Sequence, residues 1–466
     1  MDEWPKPERK PFSPEIEARI DALLNKMTLP EKIGQMTHGE ISWVSPSDVQ
    51  EYALGSVLNE AGSRPGYVYG SLSDWVDRAD SYWLASQQTT HKIPIMWGTD
   101  AVHGHNSVKG MTLFPHNIGL GASGDAQLVA NIGRATASQV RATGLDWTFA
   151  PTVAVVQNTR WGRSYESYGQ DPELVYHLSK AMVSGLQDNL STDGILATAK
   201  HFIGDGAVKN GNDQGAAYIT EDELINMQAM GYYAALEADV QIVMASFSSW
   251  WLTKLHADHY LLSEVLKNKM GFDGFIISDY NAIRQIAGCS IASCPAAINA
   301  GVDMLMVPKN WKPFIENTVG QVEHGEIALS RINDAVRRIL RVKMRAGLFE
   351  QVQPSLREHS GNSELMSSPE IKALARQAVR QSLVMLKNSD QLLPLSKSKK
   401  YLVINGDNIS RQAGGWSIDW QGYSLEEMFY PAGETILSGI KSLVKPEGGQ
   451  VFTSYNFAMQ NDVSAA

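Results

Sequence analysis

The chain has 466 residues, of which 43% are hydrophobic and 19% are charged. A chain of this length can build one large hydrophobic core and part of a second one. Its formal net charge of -10, without a long basic run, argues against nucleic acid and anionic membranes as partners. No apolar segment approaches transmembrane length, so we expect no membrane insertion, and the charged, proline-rich residues 1–10 do not resemble a signal peptide.

Short apolar segments alternate with amphipathic helical windows over the first 350 residues. The helical periodicity predicts helices over residues 126–142, 172–189, 221–238 and 328–345. Seven apolar segments predict strands, over residues 55–58, 93–97, 147–155, 195–202, 241–247, 274–278 and 303–307. Strand–helix alternation at this spacing indicates βαβ units and a parallel sheet. We therefore predict an α/β fold with a (β/α)8-like TIM barrel over residues 1–350, in preference to an open doubly wound sheet.

The pattern changes after residue 350. Residues 351–400 are polar at first and then helical, which predicts an inter-domain linker and a helix. Residues 401–466 hold a strand, a Gly-rich loop, a helical window and a short extended segment. We predict that residues 401–466 are the N-terminal fragment of a second α/β sandwich domain, which would be incomplete at Ala466.

Polar residues follow several of the predicted strands at their carboxyl ends. Asp100 comes after strand 93–97, Lys200 and His201 lie in strand 195–202, and Asp279 comes after strand 274–278. One charged strand end is common, but several at the same face of a barrel predict an active site. Considered alone, Asp279 could equally cap the helix that follows it.

Lys200 and His201 pose a geometric problem if both side chains belong to one site. Consecutive residues of a regular strand point to opposite faces, so such a strand cannot bring both side chains into one pocket. We therefore predict a distorted backbone at this position, such as a strained or cis peptide bond.

The two cysteines, Cys289 and Cys294, are close enough to staple one loop, although two partly buried free thiols are an equal alternative. A zinc site is not expected, because the sequence offers no second cysteine pair or matched histidines.

Five segments carry recognisable motifs. They are Thr-Asp-Ala-Val-His-Gly at 99–104, the segment 151–166, Lys-His-Phe-Ile-Gly-Asp-Gly at 200–206, Gly-Phe-Ile-Ile-Ser-Asp-Tyr at 274–280 and Gly-Gly-Trp-Ser-Ile-Asp-Trp-Gln-Gly at 414–422. In this order, they resemble family 3 glycoside hydrolases over nearly the whole chain. The last motif is similar to a loop of the β-glucosidase and β-glucan exohydrolase branch.

The resemblance implies a retaining, exo-acting β-glucosidase for polysaccharide degradation. Such an enzyme removes terminal non-reducing β-D-glucose from short β-glucans or cellobiose-type glucosides and needs neither cofactor nor metal. Asp279 would be the nucleophile that forms a covalent glycosyl-enzyme. The implied substrate-binding residues are Asp100, Arg163, Lys200, His201, Tyr280 and Trp420. Arg163 and Lys200 would also help to keep Asp279 ionised, because nearby cations lower a carboxyl pKa; their alternative role is a structural ion pair with Asp205 or Glu166.

The general acid is not apparent in this sequence. In the branch that the chain resembles, a second-domain glutamate beyond the position of Ala466 protonates the leaving group. We therefore predict impaired activity on natural glucosides, with a C-terminal polypeptide as a possible complementing partner. The β-N-acetylglucosaminidase branch of the family is marked by the motif Lys-His-Phe-Pro-Gly-His-Gly, whose second histidine lies in a loop of the barrel. Asp205 stands at the position of that second histidine here, which counts against this branch.

Two other functions remain open. The chain could be a non-catalytic sugar-binding remnant, or a family member that acts on β-xylosides or α-L-arabinofuranosides. The family context favours a periplasmic or extracellular location.

Overall fold

The computed structural model describes residues 3–9, 11–60, 62–66, 70–404, 406–422, 429–431 and 433–454. The chain divides into two compact units, Met1–Ser382 and Leu383–Ala466. The boundary falls inside residues 351–400, which we predicted to be a linker and a helix. The helix Pro369–Ser382 belongs to the first unit.

Eight parallel strands form a closed ring in the first unit. They are β1 (Thr37–Glu40), β2 (Ser56–Leu58), β3 (Met96–Thr99), β4 (Trp147–Thr148), β5 (Thr198–Phe202), β6 (Ile242–Ala245), β7 (Phe275–Ile277) and β8 (Leu305–Met306). Ladders join β8, β1, β2, β3 and β4 in that order, and also β5, β6 and β7. Parallel bridges from Trp147 to Leu196 and from Ile277 to Met304 close the two gaps. The predicted TIM barrel is confirmed.

The strand β1 is the one that the sequence pattern did not predict. Its four residues, Thr-His-Gly-Glu, are all buried although none of them is a typical strand hydrophobe. Inside the barrel, His38 Nδ1 lies 2.6 Å from Ser56 Oγ. The seven predicted strands implied that Asp279 follows the sixth barrel strand. Because β1 adds one strand at the start, Asp279 follows the seventh.

Helices cover the outside of the ring. The helix Ala126–Ala142 is as predicted, and Leu329–Arg345 begins one residue later than predicted. The predicted helix 221–238 is interrupted by a π-helical turn over Leu224–Gln228. The α-helices of the first unit are Pro14–Leu24, Leu29–Gln35, Pro46–Tyr52, Leu72–Ser86, Asn117–Ser123, Ala126–Ala142, Pro172–Gln187, Glu221–Glu223, Met230–Glu237, Pro295–Ala300, Trp311–Glu323, Leu329–Arg345, Glu364–Ser367 and Pro369–Ser382; a second π-helix covers Tyr260–Lys269.

Aromatic side chains fill the barrel interior below the mouth. The ring of Trp147 lies 5.1 Å from that of His38, 5.0 Å from Phe149 and 5.9 Å from Phe275, measured between centroids. Gly98 is required here, because a Cβ atom at this position would lie 2.4 Å from the Phe149 ring. The barrel is therefore a packed core, and any substrate must bind at the carboxyl ends of its strands.

Cys289 and Cys294 form a disulfide in the loop after β7, which decides between the two alternatives for these residues. Within the described ranges, the structure contains no helix with the length and hydropathy required to cross a bilayer.

The second unit contains two parallel strands, β9 (Lys400–Ile404) and β10 (Gln450–Ser454). The helix Ile436–Val444 lies between them in the chain, and the side chain of Thr435 caps its first turn. A shorter helix covers Ile409–Ala413. In the Gly-rich loop, the Trp416 amide donates to the Trp420 carbonyl at 2.8 Å.

Candidate active site

Asp279 stands directly beyond β7 at the mouth of the barrel. Its Oδ1 accepts a hydrogen bond from the Tyr280 amide at 2.7 Å, and its own amide donates to His256 Nε2 at 3.0 Å. Its Oδ2 has no hydrogen-bond partner among the described residues, and the imidazole Nε2 of His201 lies 3.7 Å from it. One carboxylate oxygen is thus fixed while the other has uncommitted lone pairs, as a nucleophile requires.

The Lys200–His201 peptide bond is cis, so the backbone is distorted where we predicted it. Lys200 Nζ pairs with Asp100 Oδ1 at 3.2 Å, and these groups come from the ends of β5 and β3. His201 Nδ1 lies 3.0 Å from Asp205 Oδ2. Both consecutive side chains therefore reach polar partners at the same end of the barrel.

Arg163 links these groups to one another. Its guanidinium binds Glu166 through two contacts, Nε to Oε1 at 2.8 Å and Nη2 to Oε2 at 2.9 Å. The same Nη2 lies 3.2 Å from His201 Nε2. An imidazole nitrogen that faces an arginine must accept, which places the His201 proton on Nδ1, toward Asp205. The ion pair of Arg163 with Glu166 is present, and Lys200 pairs with Asp100.

Burial dominates the titration of these groups. Burial raises the pKa of Asp279 to about 6, although Arg163, the Tyr280 amide and Lys200 act in the opposite direction. Arg163 and Lys200 thus favour the ionised carboxylate, as we predicted, but they only partly offset the loss of water. Burial likewise raises the pKa of Asp205 to about 7. The pKa of His201 is lowered by burial and by the two cations, so this imidazole is neutral at pH 7.

His256 is a contact of Asp279 that the sequence did not reveal. It lies in the turn Leu255–Ala257, just after a small hairpin formed by Ser249–Trp250 and Thr253–Lys254. The imidazole is buried, and burial lowers its pKa to about 3, which keeps Nε2 free to accept the Asp279 amide. His256 lies in none of the recognised motifs. Its contact with Asp279 joins loops that follow two different strands, and the sequence alone does not show that these loops meet.

The two predicted aromatic residues lie in different units. Tyr280 is half-buried next to Asp279, and burial and the neighbouring Glu60 carboxylate raise the pKa of its hydroxyl above the ordinary value. Trp420 belongs to the second unit and is 45% exposed. Its role as a substrate-binding residue stays a prediction. The structure presents no cluster of three or more metal-ligating side chains within its described ranges.

Comparisons with known proteins show the family to which the chain belongs. The profile described as "Glycosyl hydrolase family 3 N terminal domain" matches residues 28–342, and the chain therefore belongs to glycosyl hydrolase family 3. It is 30% identical over 459 residues to the "Lysosomal beta glucosidase" of Dictyostelium discoideum, with 91% of this chain and 55% of that protein covered. It is also 30% identical over 467 residues to the "Periplasmic beta-glucosidase" of Salmonella typhimurium, with 97% and 58% covered.

The fold resembles a crystal structure of the exo-1,3/1,4-beta-glucanase from a Pseudoalteromonas species. The TM-score is 0.95 and the sequence identity 45%, and the match covers 99% of this chain and 59% of that one. The resemblance of the motifs to family 3 glycoside hydrolases is confirmed. The chain spans between half and two thirds of the length of each of these proteins.

Proposed function

We propose that this chain carries the nucleophile and the glucose-binding groups of a retaining, exo-acting β-glucosidase. Its substrates are the terminal non-reducing β-D-glucose units of short β-glucans or cellobiose-type glucosides. The observation that supports the proposal most directly is Asp279, whose carboxylate has one oxygen fixed and one without a hydrogen bond beside Arg163, Lys200 and His201. The names of the three similar proteins favour β-glucosides as the substrate class.

The reaction begins with attack by Asp279 Oδ2 on the anomeric carbon. The bond from that carbon to the glycosidic oxygen breaks, its electron pair goes to the oxygen, and a general acid supplies the proton. Water then hydrolyses the glycosyl-enzyme, with retention of configuration after two displacements. Arg163 and Lys200 donate to sugar hydroxyls and Asp100 accepts from them, because charge-assisted hydrogen bonds are strong in a buried site. We include His201 and Tyr280 as further sugar contacts, and the sugar contact of Trp420 stays a prediction from the sequence.

We propose that the general acid is not one of the carboxyl groups next to Asp279. Asp100 is paired with Lys200, Glu166 is held by Arg163 through two contacts, and Asp205 is bonded to His201. A general acid must approach the glycosidic oxygen and release a proton to it. A carboxyl group that is held by an ion pair or a hydrogen bond to another side chain is hindered in both steps. A carboxyl group outside the described residues, or one on a complementing C-terminal polypeptide, fits the role better.

This assignment predicts a large dependence on the leaving group. Dinitrophenyl β-glucoside needs no proton on departure, whereas cellobiose does. If the acid is missing, cellobiose hydrolysis by this chain should be slower by about 10²- to 10⁴-fold than with the acid in place. Similar, high rates on both substrates would show that this chain supplies an acid and needs no complementing polypeptide.

Chemical rescue tests the nucleophile. The variant Asp279→Gly should lose turnover of dinitrophenyl β-glucoside, and added azide should restore it with α-glucosyl azide as the product. The matched control is Asp100→Gly, which removes a neighbouring aspartate that does not attack the sugar and should yield no α-glucosyl azide. Formation of this product by the control, or its absence with Asp279→Gly, would contradict the proposal.

The alternative of a non-catalytic sugar-binding protein makes a different prediction. In that case, no dinitrophenyl glycoside would be turned over, and Asp279→Gly would leave glucose affinity nearly unchanged. A panel of aryl β-glucoside, β-xyloside and α-L-arabinofuranoside tests the sugar, and we expect the β-glucoside to be preferred.

We propose a periplasmic or extracellular location. The Salmonella relative is named periplasmic and the disulfide suits an oxidising compartment, although the Dictyostelium relative is named lysosomal.

A further inference from the structure

We propose that Tyr218 and Trp251 form a second carbohydrate-binding site, separate from the pocket at Asp279, and that this site holds a β-glucan chain. The identification of the polymer as a β-glucan rests on the proposed function. The two rings lie on a small three-stranded sheet in the loops that follow β5 and β6. Its strands are Ala216–Ala217, Ser249–Trp250 and Thr253–Lys254. The reaction at Asp279 uses neither ring.

Trp251 occupies a backbone position that disfavours a bulky side chain. Trp250 pairs with Thr253, so Trp251 and Leu252 form a two-residue hairpin turn. The φ angle of Trp251 is 52°, in the left-handed region where such turns normally place glycine or asparagine. A bulky residue at positive φ is a rare exception, and such exceptions concentrate at functional sites. A tryptophan at this position therefore points to a role for its ring.

The indole of Trp251 is held in place although it is 50% exposed. Its Nε1 donates to the Ile219 carbonyl at 3.0 Å, and its amide donates to the Ala217 carbonyl at 3.0 Å. The neighbouring Trp250 donates its own Nε1 to the same Ile219 carbonyl at 2.9 Å. Because the polar nitrogen of Trp251 is already bonded, the part of the side chain that faces water is mostly carbon. A preorganised ring of this kind loses little conformational entropy when a ligand binds to it.

Tyr218 adds a second ring at a right angle to the first. It is 46% exposed, its ring centroid lies 5.7 Å from that of Trp251, and the angle between the two ring planes is 90°. The ammonium of the exposed Lys209 lies 5.3 Å from the centroid of the Tyr218 ring. Lys209, Tyr218 and Trp251, which we call the Trp251 platform, thus combine two accessible aromatic rings with a cationic hydrogen-bond donor.

The chemistry of the Trp251 platform fits a glucan chain. Each β-glucosyl unit has an apolar ring face that packs on an aromatic side chain, and hydroxyl oxygens that accept hydrogen bonds from an ammonium group. Trp251 and Tyr218 offer the rings, and Lys209 offers the donor. A polymer that is held here stays near the nucleophile Asp279, which raises the effective concentration of its chain ends at the pocket.

Two other occupants fit these observations less well. A stable interface between two copies of a chain covers about 800 Å² of each copy. One aromatic side chain buries about 150–250 Å² when it is fully covered, so two half-exposed rings and the 86% exposed Leu252 offer well under that area. The net charge of -10 disfavours an anionic membrane surface. A glucan chain needs only a narrow aromatic surface, and the platform provides one.

Retention of the inactive chain by a polymer tests the second site. Asp279→Asn is run in native gels that contain a soluble β-1,3/1,4-glucan, with saturating glucose to fill the pocket at Asp279. The dissociation constant is obtained from the mobility at several polymer concentrations. Adding Trp251→Gly or Tyr218→Ala should weaken retention by about 3- to 10-fold, the loss expected for one stacking surface. Glycine adopts the φ angle of Trp251 without strain, so Trp251→Gly removes the ring and keeps the hairpin turn.

The matched control is Phe12→Ala, which removes a 54% exposed aromatic ring that lies over Arg341, and it should leave retention unchanged. Gels that contain dextran, an α-glucan, should retain none of the variants. In the chain that keeps Asp279, Trp251→Gly should leave kcat/KM for dinitrophenyl β-glucoside unchanged, because the platform does not contact the reacting carbon. Equal unfolding temperatures of the variants ensure that weaker retention reports binding and not loss of the fold.

The possible outcomes separate the two proposals. Retention that is equal with and without Trp251→Gly, or that disappears when glucose is added, would overturn the second site and leave the proposed function intact. Equal retention by dextran would overturn the assignment to β-glucan. A dimer in sedimentation, or binding to phosphatidylglycerol vesicles, that is lost in Trp251→Gly would assign the platform to another occupant and overturn the inference. Glucan retention that depends on Trp251, in a chain that gives no α-glucosyl azide in the rescue experiment, would support the site and overturn the proposed function alone.

Discussion

Replacing Arg163 with Gln should move the acid side of the pH–rate profile to higher pH. Burial raises the pKa of Asp279 to about 6, and Arg163 is the strongest opposing influence on this carboxyl group. A nearby arginine lowers a carboxyl pKa by about 1–3 units, so the loss of Arg163 should raise the pKa of Asp279 further. A higher pKa leaves fewer ionised carboxylates at a given pH, and the rate on the acid side falls accordingly.

The effect at one pH can be estimated. With a pKa of about 6, half of the Asp279 carboxylates are ionised at pH 6. After a shift of about 1–3 units, about one tenth to one thousandth are ionised. The rate at pH 6 should therefore fall about 5- to 500-fold through ionisation alone, with recovery as the pH rises. Lost sugar contacts of Arg163 lower the rate equally at every pH, so they do not move the midpoint.

The assay is kcat/KM for dinitrophenyl β-glucoside between pH 4 and 9. This quantity reports the ionisation of the free enzyme, and the leaving group needs no proton from the chain. The matched control is Arg160→Gln, an exposed arginine three residues earlier, which should leave the midpoint unchanged. A midpoint that stays near 6 in Arg163→Gln, or that moves to lower pH, would refute the reasoning.

Two further predictions concern Asp279 and its support. His256→Ala leaves the buried Asp279 amide without an acceptor, so the burst of dinitrophenolate should slow by roughly tenfold, and His256→Gln should recover part of it through its amide oxygen. A burst of unchanged rate in His256→Ala would exclude a positioning role. Because the folded pKa of Asp279 is raised from 3.8 to about 6, its contribution to stability is full below about pH 4 and is lost as the pH rises through 6. Asp279→Asn should therefore gain about 3 kcal/mol relative to wild type between pH 4 and pH 8 in urea unfolding, and no relative gain would contradict the raised pKa.

Much of the barrel could be predicted because most of its strands are apolar and its helices amphipathic. The strand Thr37–Glu40 could not, since Thr37, His38 and Glu40 are polar and Gly39 has no side chain, so this segment lacks the apolar pattern of a strand. Side-chain alternation predicted the distorted backbone at Lys200–His201 only together with the resemblance that assigns both side chains to the sugar site. The π-helical turn Leu224–Gln228 changes hydrogen bonding without a clear change in periodicity.

In the candidate site, too, residues within local sequence patterns could be predicted, and contacts between distant loops could not. Asp279 and Lys200 could be recognised because they lie at strand ends within motifs. His256 and Glu60 could not, because each acts through a contact between loops that are far apart in the sequence. The sequence also could not predict how far burial removes Asp279 from water. This burial explains why the pKa of Asp279 is raised despite two neighbouring cations.

Trapping with 2-deoxy-2-fluoro dinitrophenyl β-glucoside tests the central claim most directly. The fluorine slows the second displacement, so a covalent adduct should accumulate on the full chain and survive proteolysis. We predict that mass spectrometry of the peptides will find one fluoroglucosyl group on Asp279. An adduct on any other side chain would contradict the account.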